Sequence, residues 1–71
     1  MGQCVQADEY SRNYWDRFFI DHRLWDNKYR EIIGWAQENF SSIFAFDLTR
    51  TGVLMYVQNP DDAVMFKLTW G

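Results

Sequence analysis

The stretch YWDRFFIDHRLW, residues 14–25, decides the fold. Two periodicities compete in it. Trp15, Phe18, His22 and Trp25, continued by Tyr29 and Ile32, recur at alternating steps of three and four, the spacing of one helix face. Inside the same stretch, the run Phe18-Phe19-Ile20 is bracketed by Asp16, Arg17 and Asp21, as a short strand bounded by charge would be. A continuous helix from here through Phe40 would be far longer than the rest of a 71-residue chain could cover. A strand over residues 14–22 is therefore expected, with a helix over residues 9–25 as the alternative.

The segment that follows, NKYREIIGWAQENF over residues 27–40, is the clearest helix. Tyr29, Ile32, Ile33, Ala36 and Phe40 fall on one stripe. Asp26 or Asn27 can cap its start, and Glu31 lies early, where the helix dipole favours negative charge. Trp35 falls off the stripe and is a candidate for exposure. Gly34 costs the helix about 1 kcal/mol relative to alanine, which a closely passing strand would explain.

Residues 41–59 read as a hairpin. Ile43 to Leu48 and Val53 to Val57 are rich in strand formers, and Thr49-Arg50-Thr51-Gly52 supplies a turn in which Gly52 can adopt positive φ. Residues 59–70 read as a second helix: Asn59 caps, Pro60 takes the first helical position, Asp61 and Asp62 complement the positive end, and Lys67 comes late. Residues 1–12 are polar and unpatterned, and are expected to form a mobile arm before a single domain over residues 13–71. The expected class is α+β: a small antiparallel-rich sheet with two helices on one face, in the order β-α-β-β-α of a split β-α-β or ferredoxin-like fragment. The alternative order is α-α-β-β-α.

A chain of 71 residues lies near the lower limit for folding on a single core. One cysteine, Cys4, allows no internal disulfide, and Cys4 with the single histidine, His22, cannot make a cysteine-rich zinc site. Stability must come from a rich core or a partner. The aromatic content of 20%, with four Trp, supports both. A net charge of −3 disfavours sequence-independent binding to nucleic acid or to an anionic membrane surface. No apolar run approaches the roughly 20 residues that span a bilayer. The opening MGQCVQADEY lacks the basic and apolar parts of a signal peptide, and cytoplasmic localisation is expected.

From Tyr56 to Trp70 the sequence reads YVQNPDDAVMFKLTW. It resembles small uncharacterised bacteriophage proteins, which tend to run from a strand into a Pro-Asp/Glu-Asp-Ala helix start followed by Phe-Lys-Leu-x-Trp. The hairpin and the helix before it fit the same order, so the resemblance covers roughly residues 14–71. It implies a viral accessory protein of this α+β layout acting in the host cytoplasm, and it carries no assigned activity or functional residue.

Candidate sites reduce mostly to structure. Helix capping accounts for Asp61 and Asp62 without general acid–base or magnesium chemistry. His22 beside Asp21 and Asp26 lacks a second strong ligand and reads as a partly buried structural histidine. Cys4 has no adjacent cation to make it a nucleophile. Phe44, Phe46 and Tyr56 resemble the layout of a base-stacking sheet, so single-stranded nucleic-acid binding is the alternative function. Asp16, Asp21 and Asp26 nevertheless alternate with the nearby basic residues, and no basic-glycine-aromatic motif follows. Neither a catalytic set nor a cofactor or metal site is expected. What remains is aromatic surface: Trp15, Trp25, Trp35 and Trp70 exceed what so small a core can enclose. They point to a non-enzymatic interaction module whose partner is a host or viral protein, or a second copy in a homodimer.

Overall fold

The computed structural model describes residues 2–70. Of the two readings of residues 14–25, the strand is the one that forms, over a shorter span than 14–22. Asp16–Asp21 form a strand, and a helix begins at the very next residue. Asp21 makes that junction possible: it is the last strand residue and also the N-cap, its carboxylate accepting from the Arg23 N–H at 2.8 Å. The full order is β1 (Cys4–Gln6), α1 (Glu9–Tyr14), β2 (Asp16–Asp21), α2 (His22–Asn39), β3 (Phe44–Leu48), β4 (Gly52–Val57) and α3 (Pro60–Trp70).

The four strands form one mixed sheet in the order β1-β3-β4-β2. β3 and β4 pair antiparallel from Phe44↔Val57 to Leu48↔Val53, and β2 pairs antiparallel with β4 from Asp16↔Val57 to Asp21↔Gly52. β2 and β3 therefore run parallel with β4 between them and α2 crossing over, which is a split β-α-β unit. β1 adds parallel to β3 through Cys4↔Phe44, Val5↔Ala45 and Gln6↔Phe46.

Strand alternation sorts the core. Ile20, Phe44, Val53, Met55 and Val57 face α2 and α3, where Ile32, Ala36, Phe40, Ala63 and Phe66 close the main core, and Phe18 packs against its edge. Ala45 and Tyr56 face the other way and form a smaller cluster with Ala7, flanked by Val5, Trp15 and Leu54. The α+β class, the β-α-β-β-α order over residues 16–70 and the two helices on one face agree with the sequence reading. A helix over residues 9–25 does not form: β4 offers an apolar edge that residues 16–21 pair with residue for residue, and this pairing outweighs the three–four spacing.

Residues 4–14 depart from the sequence reading, which treats 1–12 as an unpatterned arm. Cys4–Gln6 are a strand, and Glu9–Tyr14 form a third helix on the side of the smaller cluster. Asp8 caps α1 in a reciprocal box: the Ser11 N–H donates to the Asp8 carboxylate at 2.8 Å, and the Asp8 N–H donates to the Ser11 hydroxyl at 2.9 Å. Arg12 then ties α1 to β3, its Nε donating to Asp47 at 2.8 Å. Gly2 lies against the end of α2 and donates its N–H to the Gln37 carbonyl.

Three further details correct the sequence reading. α2 starts at His22, about a turn before the expected caps Asp26 and Asn27, because Asp21 serves instead. Gly34 faces open space, with no strand near it. Gly52 has no positive φ; a Cβ there would land on the Ile20 carbonyl and the Phe19 ring, so close strand approach selects the glycine.

The capping of α3 holds as expected, with the Asn59 side-chain oxygen accepting from the Asp61 N–H at 2.8 Å. Asp62 does more than complement the helix end. It is buried and accepts from the N–H groups of both Ser41 and Ser42 and from both hydroxyls, pinning the α2–β3 connection to α3.

Candidate functional site

The sheet ends on β2, whose outer side pairs with no described strand. Which backbone groups face outward follows from the ladder. The His22 N–H donates to the carbonyl of its directly opposite residue, Thr51, so the even-numbered residues of β2 exchange hydrogen bonds with β4. The crowding of Gly52 against the Ile20 carbonyl and the His22 nitrogen fixes the same phase. The N–H and C=O groups of Arg17 and Phe19 and the N–H of Asp21 therefore point away from the sheet, while the Asp21 carbonyl, as the N-cap of α2, accepts the first bond of that helix.

A hollow of about 430 Å³ follows this edge. It touches five consecutive strand residues, Arg17 to Asp21, whose side chains alternate between the two sheet faces, so it lies along the open backbone side of the strand. Its far wall is formed by Leu24 from α2 and by Phe66, Lys67 and Trp70 from α3, so one cation stands among apolar groups. A smaller hollow of about 210 Å³ continues it past Phe18 to Pro60, Ala63 and Val64. The Phe18 ring forms the floor between them, stacked on Phe66 at 5.4 Å and lying under the Lys67 ammonium at 5.5 Å. On the opposite face Phe19 is 54% exposed. A hollow of about 450 Å³ on α1, lined by Asp8, Glu9, Tyr10, Asn13 and Tyr14, has walls from that one short helix and its cap only.

The four tryptophans are half-buried, and they do not form one patch. Trp35 and Trp70 meet edge to face at 6.4 Å, and Trp35 also contacts Phe40 and Phe66. Trp35 is drawn in, contrary to its place off the α2 stripe, because α3 lies beside α2 and widens the face that is covered. Trp25 packs on Phe46 and Tyr29. Trp15 belongs to the cluster on the other sheet face. Trp70 is the one that lines the hollow beside β2, and its indole N–H is buried with no hydrogen-bond partner among the described residues. The apolar side chains that do face solvent are different ones: Tyr10 and Tyr14 on α1, Phe19, Tyr29, Leu48, and Val64 and Leu68 on the outer face of α3.

The remaining candidates separate. Phe44 and Tyr56 are buried and Phe46 lies beneath Trp25, so these rings offer no open stacking platform. His22 is exposed rather than partly buried, with Nδ1 at 3.3 Å from the Thr51 carbonyl and 3.7 Å from Asp21. Burial pushes the Cys4 thiol above its ordinary pKa, which lowers its thiolate fraction. Among the described residues, no three His, Cys, Asp or Glu side chains gather around a point where an ion could bind. Among them too, no helix is long and apolar enough to cross a membrane.

Sequence reasoning missed the open edge itself. Its signal was present in the charges that bracket Phe18-Phe19-Ile20, since strand edges often carry them. Their meaning depends on knowing that β4, rather than β2, is central in the sheet. In comparisons with known proteins, the chain matches no family model, no curated protein and no solved structure.

Proposed function

We propose that this protein is a non-enzymatic protein–protein interaction module that receives an extended segment of its partner along the outer edge of β2. The observation that supports this reading is the open backbone of Arg17 and Phe19, with the Asp21 N–H, running beside a hollow walled largely by apolar side chains. Outward N–H and C=O groups supply main-chain hydrogen bonds to an added strand, and pockets beside the strand take its alternate side chains. Trp70 is the anchor at the far wall, backed by Trp35. The acidic surface, with a net charge of −3, sets orientation and on-rate of the encounter. The resemblance of residues 56–70 to bacteriophage proteins supports an accessory role in the host cytoplasm, with a host or viral protein as partner.

The test is capture of partners by the full chain, beside Phe19→Pro and Trp70→Ala. Proline at an outward-facing edge position removes one outward donor while leaving the β4 ladder intact. The reading predicts a protein retained by the wild type and lost with Phe19→Pro, with far-UV circular dichroism unchanged. Equal retention by a folded Phe19→Pro would refute docking at this edge.

A further inference from the structure

Building on that reading of the edge, we propose that β2 pairs antiparallel with β2 of a second copy of this chain, about a two-fold axis through Phe19. The backbone restricts the choice first. Outward groups belong to odd-numbered residues, so an antiparallel partner must bring its own odd-numbered residues opposite them. The axis must then pass through a residue and not between two.

Side-chain charge restricts it further. With the axis at Phe19, Arg17 of each copy faces Asp21 of the other, twice, and Phe18 faces Ile20 on the core side. An axis through Arg17 sets two guanidinium groups opposite each other, and an axis through Asp21 sets two carboxylates together. An axis through Phe18 places Arg17 against Phe19 and Asp21 against Trp15, and an axis through Ile20 places Asp21 against Phe19. Only the Phe19 register neutralises both charges. Opposite charges directly across a ladder stabilise it and like charges oppose it, so the same two residues select one register and block its neighbours.

The side chains are free to do this. Among the described residues, Arg17 has no ion-pair partner within 4.0 Å. Asp21 is exposed, and in capping α2 it accepts through one oxygen only. Phe19, exposed on the face away from α2 and α3, would meet its symmetry mate on the axis. The dimer would hold one continuous eight-stranded sheet with β2 buried at its centre, leaving only the three-residue β1 at each outer edge.

The experiment is sedimentation equilibrium on the full chain over a range of concentrations. The wild type is expected to approach twice the 8.6 kDa of one chain. Arg17→Glu and Asp21→Lys, each alone, are expected to weaken association by more than about tenfold, because each creates two like-charge pairs. An equimolar mixture of the two variants restores both ion pairs and is expected to recover a heterodimer. Asp21→Lys also removes a helix cap. If it does not fold, Asp21→Asn keeps the cap, removes the charge and is expected to weaken the dimer several-fold.

A wild type that stays monomeric at all concentrations overturns self-pairing, as does a dimer indifferent to both substitutions. Either result leaves the docking reading to its own test, since Phe19→Pro abolishes capture of any strand at this edge, whichever protein supplies it.

Discussion

Gly34 and Gly52 show how one residue type answers to opposite constraints. A Cβ at Gly34 meets nothing, so the helix carries the flexibility of glycine with no packing reason. Gly34→Ala should raise stability by about 1 kcal/mol in urea unfolding. A Cβ at Gly52 would drive into the β2 backbone at Ile20 and into Phe19. Gly52→Ala should therefore lower stability by roughly 2 kcal/mol, in the range of overpacked cores, and an increase would show that the two strands are not in register there. Asp62 is the third such position. Its carboxylate serves two backbone N–H groups that have no other acceptor when it is removed. Asp62→Ala should cost about 3 kcal/mol, as for lost hydrogen bonds to a buried charge, and a neutral effect would contradict its role as the tie between α3 and the α2–β3 connection. The sequence placed Asp62 correctly as structural. It could not show the two serines, because they are twenty-one and twenty residues away.

At the level of elements, local signals were legible and partner-dependent ones were not. The α3 cap at Asn59-Pro60 and the Thr49–Gly52 turn are written in adjacent residues; the cap forms as read, and the turn forms in place without the positive φ expected at Gly52. The start of α2 was misplaced because Asp21 belongs to a strand and a helix at once, and its double use is visible only when β2 is paired. β1 and α1 escaped notice because a three-residue strand has no period, and because the box that starts α1 closes with Ser11 where Glu or Gln is the usual signature. The attachment of α1 is testable by pH. The Arg12 guanidinium beside Asp47 holds its carboxyl below the usual range, with the Tyr56 hydroxyl adding to the effect. A carboxyl depressed in the folded state contributes its stabilisation above the unfolded pKa, near 4, and loses it as pH falls through the lower folded value. NMR titration should find Asp47 depressed in the wild type and returned upward to the ordinary carboxylate range in Arg12→Ala. An Asp47 titration unmoved by that substitution would contradict the ion pair as its cause.

For the whole molecule, the decisive feature is which strand lies outside. The chain places its short, charge-bracketed strand β2 at one margin of the sheet and covers the apolar β3 and β4 with helices. The tryptophans that composition singled out divide between core support and one groove wall, and the proposed docking surface consists largely of the backbone of residues 17–21. Composition alone cannot locate such a surface, because unpaired N–H and C=O groups belong to every residue alike until topology decides which remain open. The most direct measurement is amide hydrogen exchange along β2 as a function of protein concentration. Phe18 and Ile20 should be protected throughout by β4, while Arg17, Phe19 and Asp21 should exchange rapidly in dilute solution and become protected as the concentration rises. Rapid exchange of those three amides at every concentration would contradict pairing of β2 with a second copy of the chain.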